Sequence, residues 1–165
     1  MIQAKIKLNG GIMPKKAHPS DAAFDLYVPD DVILRHGRQI VDLKFSIELP
    51  KGYAATIQPR SGFSAKGMEV ESHQDILGTG AEDIFETRID ADIIRGLIDE
   101  NYRGSAGAII KVDDEYCVYH KCILKKGTRI AQMQIVEVPQ IDLIEADELS
   151  ETDRGEGGFG HTGTK

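Results

Sequence analysis

At 165 residues, 41% of them apolar, the chain fits a single domain that buries its own core without disulfide staples. Its net charge of −7, from 27 acidic and 20 basic residues, argues against nonspecific nucleic-acid binding, which needs basic surface to displace counterions. It leaves room for a small anion held by a few local Arg and Lys groups. No run approaches the ~18 apolar residues of a membrane span, so no membrane contact is expected. The N-terminal MIQAKIKLNGG alternates instead of carrying a signal peptide's apolar region and cleavage site, which predicts a first strand and a cytoplasmic protein.

Period two dominates from there on. Ile2 to Leu8 alternates cleanly, and Phe24 to Val28 is a short strand after the turn-like KKAHPSD. Gln39 to Leu49 alternates Ile40, Leu43, Phe45, Ile47 and Leu49, with one slip that reads as a bulge, before the Pro50-Lys51-Gly52 turn. Tyr53 to Gln58, Ala106 to Val112, Tyr116 to Leu124 and Arg129 to Val138 complete the predicted strands. Connections this short leave no space for repeated βαβ units, so the expected class is all-β, a jelly roll or sandwich. Residues 1–138 form the β domain in this reading and 139–165 a C-terminal arm. Two stretches break the alternation. Residues 72–92, SHQDILGTGAEDIFETRIDAD, are acidic with a GTG turn and read as an inserted hairpin or short helix. The end, RGEGGFGHTGTK, holds five glycines and either stays disordered or orders over something.

Cys117 and Cys122 flank His120 in CVYHKC. No second ligand pair follows, so packed, reduced cysteines in a β strand are favoured over a zinc half-site.

Five segments have chemical potential, and each has a plain structural alternative. Ser20-Asp21-Ala22-Ala23-Phe24-Asp25-Leu26 leads into a strand, where an Asp is usually a turn former. Pro59-Arg60-Ser61-Gly62 puts a guanidinium, a hydroxyl and a flexible amide at one turn, suited to a phosphate. Taken alone it is an ordinary surface turn with a solvated Arg. Gly96-Leu97-Ile98-Asp99-Glu100-Asn101-Tyr102-Arg103-Gly104 offers a carboxylate after two apolar residues, suited to a general base, and a ring for a sugar. The alternative is a hairpin turning at Asp99 to Asn101. In Gly127-Thr128-Arg129-Ile130-Ala131-Gln132-Met133, a glutamine among apolar neighbours must find partners or cost ~1–3 kcal/mol. It suits positioning a water or a phosphate oxygen, or simply pinning a loop. Finally, Arg154-Gly155-Glu156-Gly157-Gly158-Phe159-Gly160-His161-Thr162-Gly163 supplies a cation, a stacking ring and many unhindered N–H groups, a composition for a nucleotide lid. It is not a P-loop, because Thr164-Lys165 is reversed and no helix can follow.

In this order, from Ser20 to Gly163, the five segments resemble the five motifs of the trimeric dUTPase family. RSG and GxxGG are weak singly, whereas the ordered set PRSG, GLIDxxYRG, GTRIAQM and RGxGGFGxTG is highly specific. The resemblance implies a jelly-roll-like distorted barrel, a homotrimer with an exchanged C-terminal arm, and Mg-dependent hydrolysis of dUTP to dUMP and pyrophosphate. That activity limits uracil incorporation into DNA and supplies dUMP. By position, Asp99 would be the general base for water attacking the α-phosphorus, with Gln132 holding that water. Arg60, Ser61 and Gly62 would bind phosphates, joined by Arg154, Gly160, His161 and Thr162 from the arm. Phe159 would stack on uracil, whose edge backbone groups around Ile98 would read, and Tyr102 would pack under the deoxyribose. Mg2+ would ride on the triphosphate oxygens, touching Asp25 only through a water.

The chain departs from the family pattern in places. Ser61 to Asp99 is about twenty residues longer than in compact members, the excess being 72–92, just before the uracil-reading hairpin. There it would reshape base selectivity, extend the trimer contact or bind a regulatory protein partner. Ile93 stands where some relatives carry an Asn. The related dCTP deaminases use a Glu in the strand after the third motif, and Ser105-Ala106-Gly107-Ala108-Ile109-Ile110 has no carboxylate.

Overall fold

The alternation is realised as short strands, described here for residues 2–76 and 78–155 of a computed structural model. In chain order these are β1 (Lys5–Leu8), β2 (Phe24–Tyr27), β3 (Val32–Leu34), β4 (Gly37–Asp42), β5 (Phe45–Glu48) and β6 (Tyr53–Gln58). A short helix α1 (Ser61–Lys66) precedes β7 (Met68–Asp75), β8 (Glu82–Ile89), β9 (Ala91–Ile94), β10 (Gly96–Ile98) and β11 (Gly107–Val112). A single helical turn, α2 (Tyr116–Tyr119), then leads to β12 (Lys121–Leu124) and β13 (Arg129–Glu137). The strands form sheets β1-β5, β10-β6-β13-β2, β4-β11-β9 and β3-β12-β7-β8, every pairing antiparallel. The architecture is all-β and jelly-roll-like, as expected. Between the sheets lies one apolar core in which Leu26, Phe45, Met68, Ile110, Leu124, Ile130 and Met133 are fully buried. No helix among the described residues is long and apolar enough to cross a membrane.

The structure corrects four local expectations. The slip in Gln39 to Leu49 is no bulge: the chain breaks there into β4 and β5, which belong to different sheets. Lys44 takes a left-handed φ of 54°, and Asp42 Oδ1 accepts the Lys44 N–H at 2.8 Å, an Asx turn that redirects the strand. The strand predicted over Tyr116 to Leu124 begins as α2. Asp114 Oδ1 accepts the Tyr116 N–H at 2.9 Å, and Tyr116 and His120 meet at 4.2 Å between ring centroids, a helical i, i+4 pair. Cys117 therefore sits on α2 and Cys122 on β12; both are buried free thiols. Burial and the contact with Cys122 push the Cys117 thiol far up. Pro59-Arg60-Ser61-Gly62 is not a plain turn, because α1 starts at Ser61. The acidic excursion is a hairpin, β7 against β8, with registers from Met68↔Ile89 to Asp75↔Glu82. It thus starts before residue 72 and closes at Ile89; Ala91 and Ile93 already belong to the core.

The hairpin is tied to the barrel by a polar knot. Ser72 is wholly buried, its hydroxyl lies 2.8 Å from the Tyr116 Oη, and Gln74 Nε2 donates to the same Oη at 2.6 Å. Tyr116→Phe strands two polar groups, one fully buried, and is expected to cost about 1–3 kcal/mol in urea unfolding. A loss below about 0.5 kcal/mol would contradict this role.

A second polar cluster makes the hairpin pH-dependent. His73 lies between Glu82 Oε2 at 2.8 Å and Glu71 Oε1 at 2.9 Å. Hydrogen bonds that His73 donates to Glu82 and then to Glu71 raise its pKa above 6.5, and the same contacts hold both glutamates below 4.5. The His contribution is complete below pH 6.5 and is lost as pH rises through the raised folded value. The Glu contributions are present above pH 4.5 and are lost as pH falls through the lowered values. Amide exchange in residues 68–89 is therefore expected to be slowest, after correction for intrinsic rates, between about pH 4.5 and 6.5. In His73→Gln the loss of protection above pH 6.5 disappears; if it persists unchanged, another group is responsible.

Candidate functional site

Pro59 ends the β6 ladder, and Arg60 follows in extended conformation (φ −89°, ψ 142°) before α1 begins. Arg60 and Ser61 are thereby set at the mouth of a cleft between the ends of β6, β13 and β2. The cleft is about 370 Å3 and is lined by Asp21, Asp25, Gln58, Arg60, Ser61, Gly62, Arg129, Gln132 and others. A Cβ added at Gly62 would meet no atom within 4 Å, so this stretch of backbone faces open space.

Strand register brings the polar groups together. Gln132 on β13 is opposite Asp25 on β2 and Gln58 on β6, so these three side chains line one face of the sheet. Asp25 takes Arg60 Nε at 2.9 Å on one carboxylate oxygen and Arg129 Nη1 at 3.1 Å on the other. One carboxylate thus orients two guanidinium groups and neutralises only half their charge, and Asp21 on the lining balances the other half. Gln132 Nε2 donates to the Pro59 carbonyl at 3.1 Å, which fixes the amide and turns its oxygen away from that bond as an acceptor. Among the described residues no group of three or more His, Cys, Asp or Glu is arranged to hold a metal ion. A divalent ion here would need most of its oxygen ligands from elsewhere, and phosphate oxygens fit that requirement.

The GLID segment is a turn, but not the hairpin of its plainer reading: β10 pairs with β6 and β11 with β4 and β9, so the chain passes here from one sheet to another. Ile98 is buried at the end of β10, and exposed Asp99 opens a turn in which its carbonyl accepts the Tyr102 N–H at 3.1 Å. Tyr102 is half exposed, with its hydroxyl donating to the Ser105 carbonyl at 3.1 Å. A Cβ at Gly104 would sit 2.3 Å from the Tyr102 oxygen, so only glycine lets the ring lie there. Glu100 accepts the Gly52 N–H at 2.6 Å, and Arg103 Nη1 donates to the Tyr102 carbonyl at 3.0 Å. The turn is held rigidly.

Within one chain, this turn and the cleft are far apart. Ile98 pairs with Ala55 and Gln132 with Gln58, so Asp99 lies level with Ala54, about 13 Å along β6 from the Gln132 level at ~3.3 Å per residue. The structure brings together Asp25, Arg60, Ser61, Gly62 and Gln132, and leaves Ile98, Asp99 and Tyr102 at the other end of the sheet. Arg154 is exposed in a turn where the Gly155 N–H bonds the Thr152 carbonyl at 3.0 Å. Phe159, Gly160, His161 and Thr162 lie outside the described residues. Sequence reasoning assigned nothing to Arg129 or Gln58. Arg129 reaches the cleft through the register shift between Arg129 and Ala131, which the sequence pattern does not signal.

The dUTPase family model matches residues 9–80 and 89–163. The chain is 37% identical over 157 residues to the deoxyuridine 5'-triphosphate nucleotidohydrolase of Hydrogenobaculum sp., covering 93% of this chain and 91% of that protein. It is 34% identical to the one from Alkaliphilus metalliredigens over the full length of both. Its fold superposes on the Staphylococcus bacteriophage 80alpha dUTPase solved with dUPNHPP, with a TM-score of 0.77, 25% identity and 98% of both chains covered. With its motifs in order and a family match across most of its length, the chain belongs to the dUTPase family.

Proposed function

We propose that this chain is a dUTP diphosphatase that cleaves dUTP to dUMP and pyrophosphate at composite sites, each built from more than one copy of a homotrimer. The observation that carries this reading is the separation of Asp99 from the Arg60–Asp25–Arg129 cleft on one rigid sheet. A base and the phosphates it serves cannot be about 13 Å apart, so the cleft of one copy takes Asp99, Ile98 and Tyr102 from another.

In the assembled site Arg60 and the Ser61 and Gly62 backbone hold the phosphates, with Arg129 and Asp25 fixing the Arg60 fork. Arg154, Gly160, His161 and Thr162 of an exchanged arm close over them, and Phe159 stacks on uracil. Backbone around Ile98 reads the uracil edge, while Tyr102 under the deoxyribose leaves no room for a 2′-hydroxyl. Water held by the Gln132 amide oxygen attacks the α-phosphorus as Asp99 takes its proton. The new P–O bond forms as the bond to the bridging oxygen breaks and pyrophosphate leaves. Asp25 would be the residue nearest a Mg2+ brought in with the triphosphate, and that ion would supply neutralisation of phosphate charge. β11, GAIIKV, holds no carboxylate where a dCTP deaminase would need its Glu. The paired buried thiols Cys117 and Cys122 suit a reducing compartment such as the cytoplasm. Pyrophosphate release from dUTP by the wild type, with at least a hundredfold preference over UTP, tests the reading. No release, or equal rates on both nucleotides, would sink it.

An added role for the hairpin has one observation in its favour. β8 is an eight-residue edge strand with exposed Ile84 and Phe85, a template on which a protein partner can add a strand. Binding lost on Ile84→Lys and Phe85→Asp, with catalysis retained, would support that partner; equal binding would exclude it from this edge.

A further inference from the structure

Across Arg60 and Arg129 from the phosphate cleft lies a second cleft of about 440 Å3, whose charged lining is Arg60, Lys66, Arg88, Arg129 and Glu69. Four cations against one carboxylate form a local basic patch in a chain of net charge −7. Glu69 is engaged with Arg88, and Asp25 with Arg60 and Arg129. Lys66, exposed in the last turn of α1, forms no ion pair among the described residues. With Arg60 and Arg129 held by Asp25 and Arg88 by Glu69, Lys66 is the cation on this lining best placed to pair with an acidic segment.

The chain carries one with the right placement. Residues 141–153, IDLIEADELSETD, hold six carboxylates and no Lys or Arg, and every residue is exposed in neither helix nor strand. This stretch runs directly into Arg154. With Arg154 at phosphates held by Arg60, residues 147–153 can span up to ~23 Å of adjoining surface, enough to cross the basic cleft. The arm leaves the sheet far from its own cleft: β13 runs away from Gln132 to Glu137, and the Val138 N–H donates to the Gly52 carbonyl at 2.7 Å, beside the Asp99 turn that the composite site gives to another copy.

We propose that Lys66 and Arg88 dock the acidic stretch 147–153 of another copy's C-terminal arm, so that this cleft is the anchor that delivers Arg154 to the phosphates. The proposal rests on the composite-site reading above and adds to it a charge-paired seat for the arm, outside the groups that touch substrate. Asp147, Glu148, Glu151 and Asp153 supply the negative charge. The anchor raises the effective concentration of the lid without contacting dUTP.

Charge reversal in both directions tests it on the full-length protein. Lys66→Glu alone, and Glu148→Lys with Glu151→Lys alone, are each expected to lower kcat/KM for dUTP about tenfold; combining them is expected to restore it to within about threefold of wild type. Cleavage after Arg154 by an arginine-specific protease, in the presence of a nonhydrolysable dUTP analogue, should speed up in each separate variant and slow again in the combination. Losses that multiply in the combination, from a wild type that does cleave dUTP, would overturn the docking and leave the site reading intact. A silent arm variant, with Lys66→Glu weakening only inhibition by pyrophosphate, would also overturn it by making the cleft a plain anion subsite.

Discussion

Asp99→Asn is expected to lower kcat for dUTP by about 10²–10⁴-fold while leaving the affinity for a nonhydrolysable analogue within about threefold of wild type. Asn keeps the size and hydrogen-bonding shape of Asp but cannot take the proton of the attacking water. The fold should not suffer. Asp99 is exposed, and only its backbone carbonyl is used in the turn, accepting the Tyr102 N–H at 3.1 Å. Its unfolding free energy should stay within about 0.5 kcal/mol of wild type. A variant that retains full turnover removes Asp99 as the base, and one that loses binding along with rate assigns it to substrate positioning.

Arg60→Ala is expected to reduce kcat/KM by about 10²–10³-fold, the scale of removing one preorganised charged donor from a transition state that gathers charge on phosphate oxygens. Its Nε is 2.9 Å from Asp25, whose side chain is only 12% exposed, so the substitution also frees that carboxylate. Arg129 remains on the other carboxylate oxygen at 3.1 Å, which should keep the unpaired-charge cost small. Lys at this position keeps the charge but loses the planar fork that spans carboxylate and phosphate, so it should recover only part of the loss. A full rescue by Arg60→Lys would show that charge alone matters there.

The sequence made different parts of this molecule legible to different degrees. Tyr53 to Gln58 and Arg129 to Val138 were readable to within a residue at their ends, because apolar residues recur with a β period and Pro59 ends the first of them, although the adjacent buried pairs Ala54-Ala55 and Ile130-Ala131 break strict alternation. The break at Lys44 was not, since Leu43, Phe45 and Ile47 are all buried and only the backbone turn separates the two strands. Tyr116 to Tyr119 failed for the opposite reason. A single helical turn fits both periods, and the deciding group, Asp114 capping the Tyr116 N–H, lies outside the apolar pattern. In the site, the ordered motifs pointed to the residues but not to their grouping. That Asp25 and Gln132 share a face and that Asp99 stands apart from them are consequences of register, which links residues about a hundred positions apart.

Mixing two inactive variants tests the composite site most directly. An Asp99→Asn chain keeps an intact Arg60 cleft, and an Arg60→Ala chain keeps an intact Asp99 turn. If each site joins the cleft of one copy to the turn of another, unfolding and refolding an equal mixture should recover dUTP hydrolysis at a tenth or more of the wild-type rate, on the order of the fraction of sites with both groups intact. Each variant refolded alone should stay at its own low rate. A mixture no more active than the mean of its two parents would contradict the account, because it would mean that Asp99 and Arg60 of the same chain serve the same site.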